Sequence, residues 1–384
     1  MTRILSVVEA RPNFMKLAPV DRELARRPGI EHVIVHTGHP YDSSMSDTFF
    51  EELWIPAPDY HLGVGPGSQA AQTAAVMQRL EPVCAEVRPD LVLVYGDVNS
   101  ALAAALVAAK LGVRLGHVEA GLRSRDWTMP EEINRVVIDR LCNLLFIPSR
   151  DAGGNLAAEG IAADRIHFAG NVMIDSLCWA LPQALERSVA ARRRLDGTAY
   201  VVVTLHRSSN VDDPAALQTL HQVLERLSRN RPVVFPVHPR TRERLLAAGV
   251  TLETGGDLRF SEPVGYVEML GLIAGAALVI TDSGGLQEET TFLGVPCITV
   301  RPNTERPITC DHGTNRLVAL RPEAILAAAE RAIARRSPAR PLIERWDGRA
   351  AERIVRVLCD NARFDDAFDT IAPAAAVVEP LSAA

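Results

Sequence analysis

The feature that most constrains this chain is an alternation of short apolar runs with longer stretches of helical period, and the alternation occurs twice. Residues 4–8, 32–36, 91–95, 114–118 and 144–148 are runs rich in Val, Ile and Leu. Strands that read as near-continuous apolar runs are buried on both faces, which calls for helices on both sides of a parallel sheet and hence for βαβ units. The pattern then restarts with residues 199–205, 233–237, 277–281 and 297–300, separated by predicted helices over 214–227 and 239–248. The expected fold is therefore α/β, with two Rossmann-like doubly wound domains facing a central cleft. At 384 residues there is enough chain for each to bury its own core. Between the two sets lie residues 165–171 and a charged, Ala-rich helical stretch from Met173 to about Arg194. This places the hinge near Gly170, with an N-terminal domain over 1–169, a C-terminal domain over 170–368 whose last helix returns to the first domain, and a disordered tail over 369–384.

Composition narrows the function. The 41 Lys plus Arg against 47 Asp plus Glu give a net charge of -6, without the global basic field that nucleic-acid binding needs. Cys84, Cys142, Cys178, Cys297, Cys310 and Cys359 show no CxxC pair and no Cys/His cluster at metal spacing, so they read as reduced thiols of a cytoplasmic protein. The apolar run at 4–8 meets Glu9 and Arg11 too early for a signal peptide, and the run at 101–109 stops at Lys110, well short of the roughly 18–20 residues of a membrane span. After the first strand stands Glu9-Ala10-Arg11-Pro12-Asn13 in place of GxGxxG, which disfavours a dinucleotide cofactor; GxxxxGK[ST] and GxSxG are also missing.

Ligands of open parallel sheets bind where loops leave the carboxyl ends of the strands, so residues just after each run are the candidates. Residues 277–281 lead into Asp282-Ser283-Gly284-Gly285 and a helical pattern. A strand, a Gly pair and a helix start leave free N–H groups and a positive dipole end for a diphosphate; the plain alternative is a capped tight turn. Gln287-Glu288-Glu289 follow one turn on, either to hold ribose hydroxyls or as a solvated charged face. Asp97 and Glu119 follow two successive parallel strands, and Glu131-Glu132 open a helix after Pro130. Three carboxylates from separate loops exceed what capping requires and suit divided acid and base roles. His206-Arg207 end the first strand of the second set, and Arg11 and Arg306 add cations at two further loops.

Seven segments in order resemble one family. They are Arg11-Pro12-Asn13-Phe14-Met15-Lys16, Gly96-Asp97, His117-Val118-Glu119-Ala120-Gly121-Leu122-Arg123, Pro130-Glu131-Glu132-Ile133-Asn134-Arg135, His206-Arg207, TDSGGLQEE from Thr281 to Glu289, and Thr304-Glu305-Arg306-Pro307. Together they resemble the non-hydrolysing UDP-N-acetylglucosamine 2-epimerases. The resemblance implies a glycosyltransferase-B-type fold, a UDP-sugar substrate, a homodimer and no redox or metal cofactor. It implies catalytic roles for Asp97, Glu119, Glu131 and His206, and substrate binding by Arg11, Lys16, Arg123, Arg207, Ser283, Gly284, Gly285, Glu289 and Arg306. The implied reaction inverts C2 through loss of UDP to a 2-acetamidoglucal and re-addition on the other face. Other readings on the same fold are a hydrolysing epimerase that releases N-acetylmannosamine, a UDP-sugar glycosyltransferase and a non-catalytic UDP-sugar-binding protein; joint retention of the three carboxylates argues against the last. The chain departs from familiar members at Glu9, at Thr37-Gly38-His39-Pro40 and at Ser208-Ser209. These departures bear on sugar identity and on an effector site to which the Thr37 loop contributes. Weak activation by substrate is expected, since Pro40 has no N–H and no polar side chain.

Overall fold

The computed structural model describes residues 1–9, 11–38, 50–252, 257–334 and 340–361. His39, Pro40 and the tail from 369, on which expectations were placed, lie outside the described residues, as does the side chain of Arg11.

Two parallel sheets form the framework. The first joins β1 (Thr2–Val8), β2 (Ile30–His36), β3 (Tyr60–His61), β4 (Leu91–Tyr95), β5 (Arg114–Val118), β6 (Leu144–Ile147) and β7 (Ile166–Phe168) in the order β3-β2-β1-β4-β5-β6-β7. The second joins β8 (Val201–Thr204), β9 (Val233–Pro236), β10 (Leu258–Ser261), β11 (Leu278–Thr281), β12 (Cys297–Val300) and β13 (Asn315–Val318) in the order β10-β9-β8-β11-β12-β13. Every pairing is parallel. Strand order reverses between β1 and β4 and again between β8 and β11, and at such points the loops part to leave a crevice.

The nine apolar runs read from the sequence are all strands, and the four strands the sequence pattern did not reveal are β3, β7, β10 and β13. These are the edges of the two sheets. An edge strand has a neighbour on one side only and loses the two-faced burial that produces a continuous apolar run. Thus β10 alternates buried and half-buried residues, and β13 carries exposed Arg316 and Leu317.

The segment expected to be one helix from Met173 to about Arg194 is two. Val172–Glu186 ends, Ser188 turns with φ of 46°, and the short helix Val189–Arg192 follows. The longer helix is the common support of the molecule, packing on Arg11–Leu24, on Tyr266–Gly275, on Gly284–Leu293 and on the last described helix, Ala350–Asn361. Buried Asp175 accepts the N–H groups of Ala350 at 3.1 Å and Ala351 at 2.7 Å, so one helix supplies the N-terminal cap of another 175 residues away. Ser176 Oγ donates to the carbonyl of Met15, and Trp346 Nε1 donates to that of Pro148 at 3.1 Å. No described helix is long and apolar enough to cross a membrane.

Gly170, just before this helix, has φ of +92°, and a Cβ there would stand 2.2 Å from the carbonyl oxygen of Arg345. Gly170→Ala is expected to lower unfolding free energy by roughly 3 kcal/mol, from left-handed strain plus a backbone clash. Urea denaturation measures this, and a loss below about 1 kcal/mol would show that the contact relaxes freely.

Candidate active site

The first sheet presents its charges through close packing around glycine. Helix Arg11–Leu24 starts directly after the β1 loop, and buried Asn13 donates from Nδ2 to the carbonyl of Tyr95 at 2.6 Å, tying that loop to the end of β4. Lys16, one turn in, is buried and pairs with Glu119. Gly96 makes this possible: its φ is +64°, and a Cβ there would lie 2.5 Å from Lys16 Nζ. Glu119 itself has φ of 74°, a left-handed conformation uncommon for a side chain of this size. It is held there as Glu119 N and Ala120 N both donate to the carbonyl of Phe146, at 3.1 and 3.0 Å. Strain of this kind persists only where the surroundings over-determine it, and it concentrates at functional sites.

The second sheet answers from the other side. Arg306, in the loop after β12, donates from Nη2 to Glu119 Oε1 at 2.9 Å. Burial raises the proton affinity of Glu119, but Lys16 and Arg306 outweigh it and hold its carboxyl below the usual range. Asp97 behaves alike, with Arg135 and Lys16 overcoming burial; Arg135 Nε reaches Asp97 Oδ2 at 3.2 Å. Asp282, at the end of β11, is fully buried. It accepts the backbone N–H of His206 at 3.0 Å and of Arg207 at 2.9 Å, and Nδ2 of Asn210 at 3.0 Å, while His206 Nδ1 stands 3.0 Å from its other oxygen. Asp282 therefore positions the His206 loop and does not cap its own helix. Ser283 occupies the N-cap of Gly284–Leu293 without a side-chain cap bond, which leaves its hydroxyl and the helix start for a ligand. The Gly pair divides its roles. At Gly284 a Cβ would meet Arg306 Nη1 at 2.3 Å, whereas at Gly285 it would make only an ordinary contact with Met173.

Between the sheets lies a cavity of about 610 Å³. Pro12, Met15, Lys16 and Glu119 line it from one side, and Leu205, His206, Tyr266, Ser283, Gly285, Glu288, Glu289 and Arg306 from the other. The structure thus brings together Lys16, Glu119, His206, Ser283, Gly285, Glu289 and Arg306. Asp97, Glu131 and Arg207 stand beside the cavity and not on its wall: Asp97 and Arg207 both feel Glu305, and Glu131 acts on Arg207. Arg123 is placed elsewhere, fully engaged with Glu159 through Nε and Nη2 at 2.7 Å each and with Asp139 through Nη1 at 2.7 Å. Gln287, Glu288 and Glu289 are buried, which removes the solvated-face reading. Burial pushes Glu289 up to about 8.

Several members of the site were not singled out from the sequence. Arg135 clamps Asp97 and Glu132, and Glu132 in turn accepts from Ser124 N at 2.8 Å and Arg125 N at 2.8 Å, so the second glutamate after Pro130 is the structural one. Glu305 is buried among Arg306, Arg301, Arg135 and Arg207, which together hold it well below the usual range against the effect of burial. The available signal was the Glu132/Arg135 spacing of one helical turn.

A family model described as UDP-N-acetylglucosamine 2-epimerase matches residues 22–359. The chain belongs to this family. It is an isomerase, and the glycosyltransferase-B-type epimerase fold expected from the resemblance is the one observed. Among its relatives is a UDP-N-acetylglucosamine 2-epimerase of Methanococcus maripaludis, 41% identical over 338 residues, covering 86% of this chain and 92% of that one. A UDP-2,3-diacetamido-2,3-dideoxy-D-glucuronate 2-epimerase of Pseudomonas aeruginosa is also 41% identical, over 85% of this chain and 91% of that one. The crystal structure of the Methanocaldococcus jannaschii UDP-GlcNAc 2-epimerase in complex with UDP-GlcNAc and UDP superposes with a TM-score of 0.86 at 39% identity, covering 94% of this chain and 100% of that one.

For this epimerase-family chain the Asp282 arrangement has a pH signature. Burial favours the neutral acid, but His206, Asn210 and Arg207 prevail and lower the pKa of Asp282. A carboxyl lowered in the folded state contributes stability above its unfolded value, near 3.9, and loses it as pH falls through the folded one. Asp282→Asn should therefore cost roughly 2–3 kcal/mol at pH 7, with the deficit narrowing as pH falls toward and below about 4. Urea titrations across that range measure it; a deficit independent of pH would mean that charge is not the cause.

Proposed function

We propose that the chain interconverts UDP-N-acetylglucosamine and UDP-N-acetylmannosamine by inversion at C2, eliminating UDP and adding it back without hydrolysis. The observation that carries this reading is the chain of contacts Lys16–Glu119–Arg306, which couples a carboxylate on one sheet to a cation beside the helix start of the other. Inversion needs a weakly acidic C–H proton removed while the C1–O bond to UDP breaks, so base and leaving-group site must act together. A diphosphate seated at Ser283–Gly285 would draw on Arg306, leaving Glu119 with Lys16 as its remaining close cation. Its proton affinity would rise as the leaving group is engaged, which suits a base called on only in the complex.

Restoring the C–H bond on the opposite face requires a second proton carrier in a different environment, and Asp97 beside Arg135 fills that role. Glu131 and Arg207 lie off this wall, where Arg207, 3.8 Å from Glu305, adds to the positive charge around the site. His206, half exposed at the cavity and fixed by Asp282, serves the leaving diphosphate as a hydrogen-bond donor. Lys16 and Arg306 bind and orient, and Glu289 holds the ribose. Homodimeric assembly and a cytoplasmic location belong to the same proposal.

A second substrate, a UDP-2,3-diacetamido uronic acid, is favoured by one observation: the Pseudomonas aeruginosa relative matches as well as the Methanococcus maripaludis one. Proton NMR in heavy water with each nucleotide sugar separates the readings. We expect the C2 epimer with deuterium at C2 from UDP-N-acetylglucosamine; free N-acetylmannosamine would point to hydrolysis, and turnover of the diacetamido uronate alone would reassign the substrate.

Asp97→Asn and Glu119→Gln should each reduce turnover at least about a hundredfold while UDP affinity stays within about tenfold. Calorimetric UDP binding alongside the NMR rate checks this. Near-normal turnover in both variants, or parallel loss of UDP binding, would remove these carboxylates from proton transfer.

A further inference from the structure

Three carboxylates close on one guanidinium. Arg306 meets Glu119 through Nη2 at 2.9 Å, Glu288 through Nε at 3.0 Å, and Glu305 through Nη1. Two of the three have other cations: Glu119 pairs with Lys16, and Glu305 with Arg301 at 2.8 Å and Arg207 at 3.8 Å. Glu288 has Arg306 alone as an ion-pair partner among the described residues, with Nε at 3.0 Å but off line for a well-formed hydrogen bond, and Lys16 acts on it from farther away. Glu288 Oε2 has no hydrogen-bond partner among the described residues, and the residue is 1% exposed while lining the cavity.

An ionised carboxylate so placed, next to a second negative charge and facing a site for a diphosphate, is strongly disfavoured. Taking up a proton resolves this and turns an unmatched acceptor into a donor. Burial, helped by the charge of Glu119 and opposed by Arg306 and Lys16, pushes Glu288 up to about 7. The residue lies one turn into the helix that begins at Gly284, on the cavity wall shared with Ser283, Gly285 and Arg306.

We propose that Glu288 is a further catalytic residue, held as a neutral acid beside Arg306 to donate its O–H to the diphosphate of the bound nucleotide sugar and so stabilise the departing UDP. This rests on the epimerase reading above. As the C1–O bond breaks, its electron pair passes to the diphosphate oxygen and the C2 proton to the carboxylate base. Glu288 keeps its proton throughout, and its hydrogen bond strengthens as charge grows on the phosphate. Re-addition reverses both movements, so no net proton is taken from Glu288.

The charged groups facing Glu288 are Arg306 from the loop after β12, Glu119 from the loop after β5, Lys16 from helix Arg11–Leu24, and Glu289 from its own helix. His206 and Tyr266 share the cavity wall. UDP and the rest of the wall are common to wild type and Glu288→Gln, so the difference between the two proteins reports the Glu288 proton together with its interaction with Glu119 and Glu289. Calorimetric titration with UDP from pH 6 to 9 is expected to show wild-type affinity falling about tenfold more than that of the variant as pH rises through about 7. Thermal melting without ligand supplies a second readout with a definite sign. A carboxyl raised from an unfolded value near 4.3 to about 7 removes stability as pH climbs between those values. Wild type should therefore melt progressively below Glu288→Gln as pH rises from 5 to 7. If Glu288 is instead an ionised partner of Arg306, the variant will melt well below wild type at pH 7, and the proposal falls. Parallel pH dependence of UDP binding in the two proteins would overturn it too, while leaving the epimerase reading intact. Failure of wild type to bind UDP at any pH would overturn both.

Discussion

Arg306 is the interaction on which the rest of the site depends. It leaves the loop after β12 of the second sheet, reaches Glu119 after β5 of the first, and is held on its way by Glu305 and Glu288. A guanidinium is suited to this because its planar fork keeps five donors in fixed directions and stays charged when buried. Gly284 leaves the space it passes through, since any Cβ there would collide with Nη1. The glycine that looks in the sequence like part of a phosphate loop is thus needed first by the arginine that spans the two sheets.

A cluster of buried charges of this size is poor evidence for stability. Desolvating several ions costs more than their attraction commonly returns, and an apolar core of similar volume is often as stable or more so. The cluster makes sense as preorganisation. Cations that would scatter by mutual repulsion are gathered around Glu305, Glu119 and Asp97, so that on the proposed reading an incoming diphosphate would meet donors already placed and already stripped of water. The left-handed backbone at Glu119 fits the same view, because it is local strain kept in position by Phe146, Lys16 and Arg306 together.

How much of this could be read from the sequence follows physical lines. Strands buried on both faces announce themselves as apolar runs, and strands at the four sheet edges do not, because one flank is open and the pattern degrades to alternation. The loops after β1, β4, β5, β8 and β11 were legible because parallel sheets put ligands at carboxyl ends, and the cavity is lined from those after β5, β8 and β11 and from the helix start after β1. What stayed hidden was the division of labour between adjacent charges. Glu131 and Glu132 look alike in sequence, yet one is within electrostatic reach of Arg207 and the other is sealed against Ser124 and Arg125. Arg123 sits in a motif with Glu119, but the chain turns between them and delivers it to Asp139 and Glu159. Only the fold fixes which side of a loop each side chain takes.

Gln287, Glu288 and Glu289 invite misreading for a like cause. Three polar residues in a row on a helix ordinarily mark a solvated face, because burying charge is costly. Here the helix Gly284–Leu293 packs against helix Val172–Glu186, β12 and β13 and turns its remaining face to the cavity, so none of its residues is exposed at the outer surface. Gln287 escapes the cost through Thr304, which donates to its Oε1 at 2.7 Å, and Asn315, which donates at 3.0 Å. Glu288 and Glu289 each keep a buried oxygen without a hydrogen-bond partner among the described residues. Buried polar atoms are so rarely left unmatched that two on consecutive residues at a cavity wall, both with raised proton affinity, fit the proposed site, in which the ligand would be their matching partner.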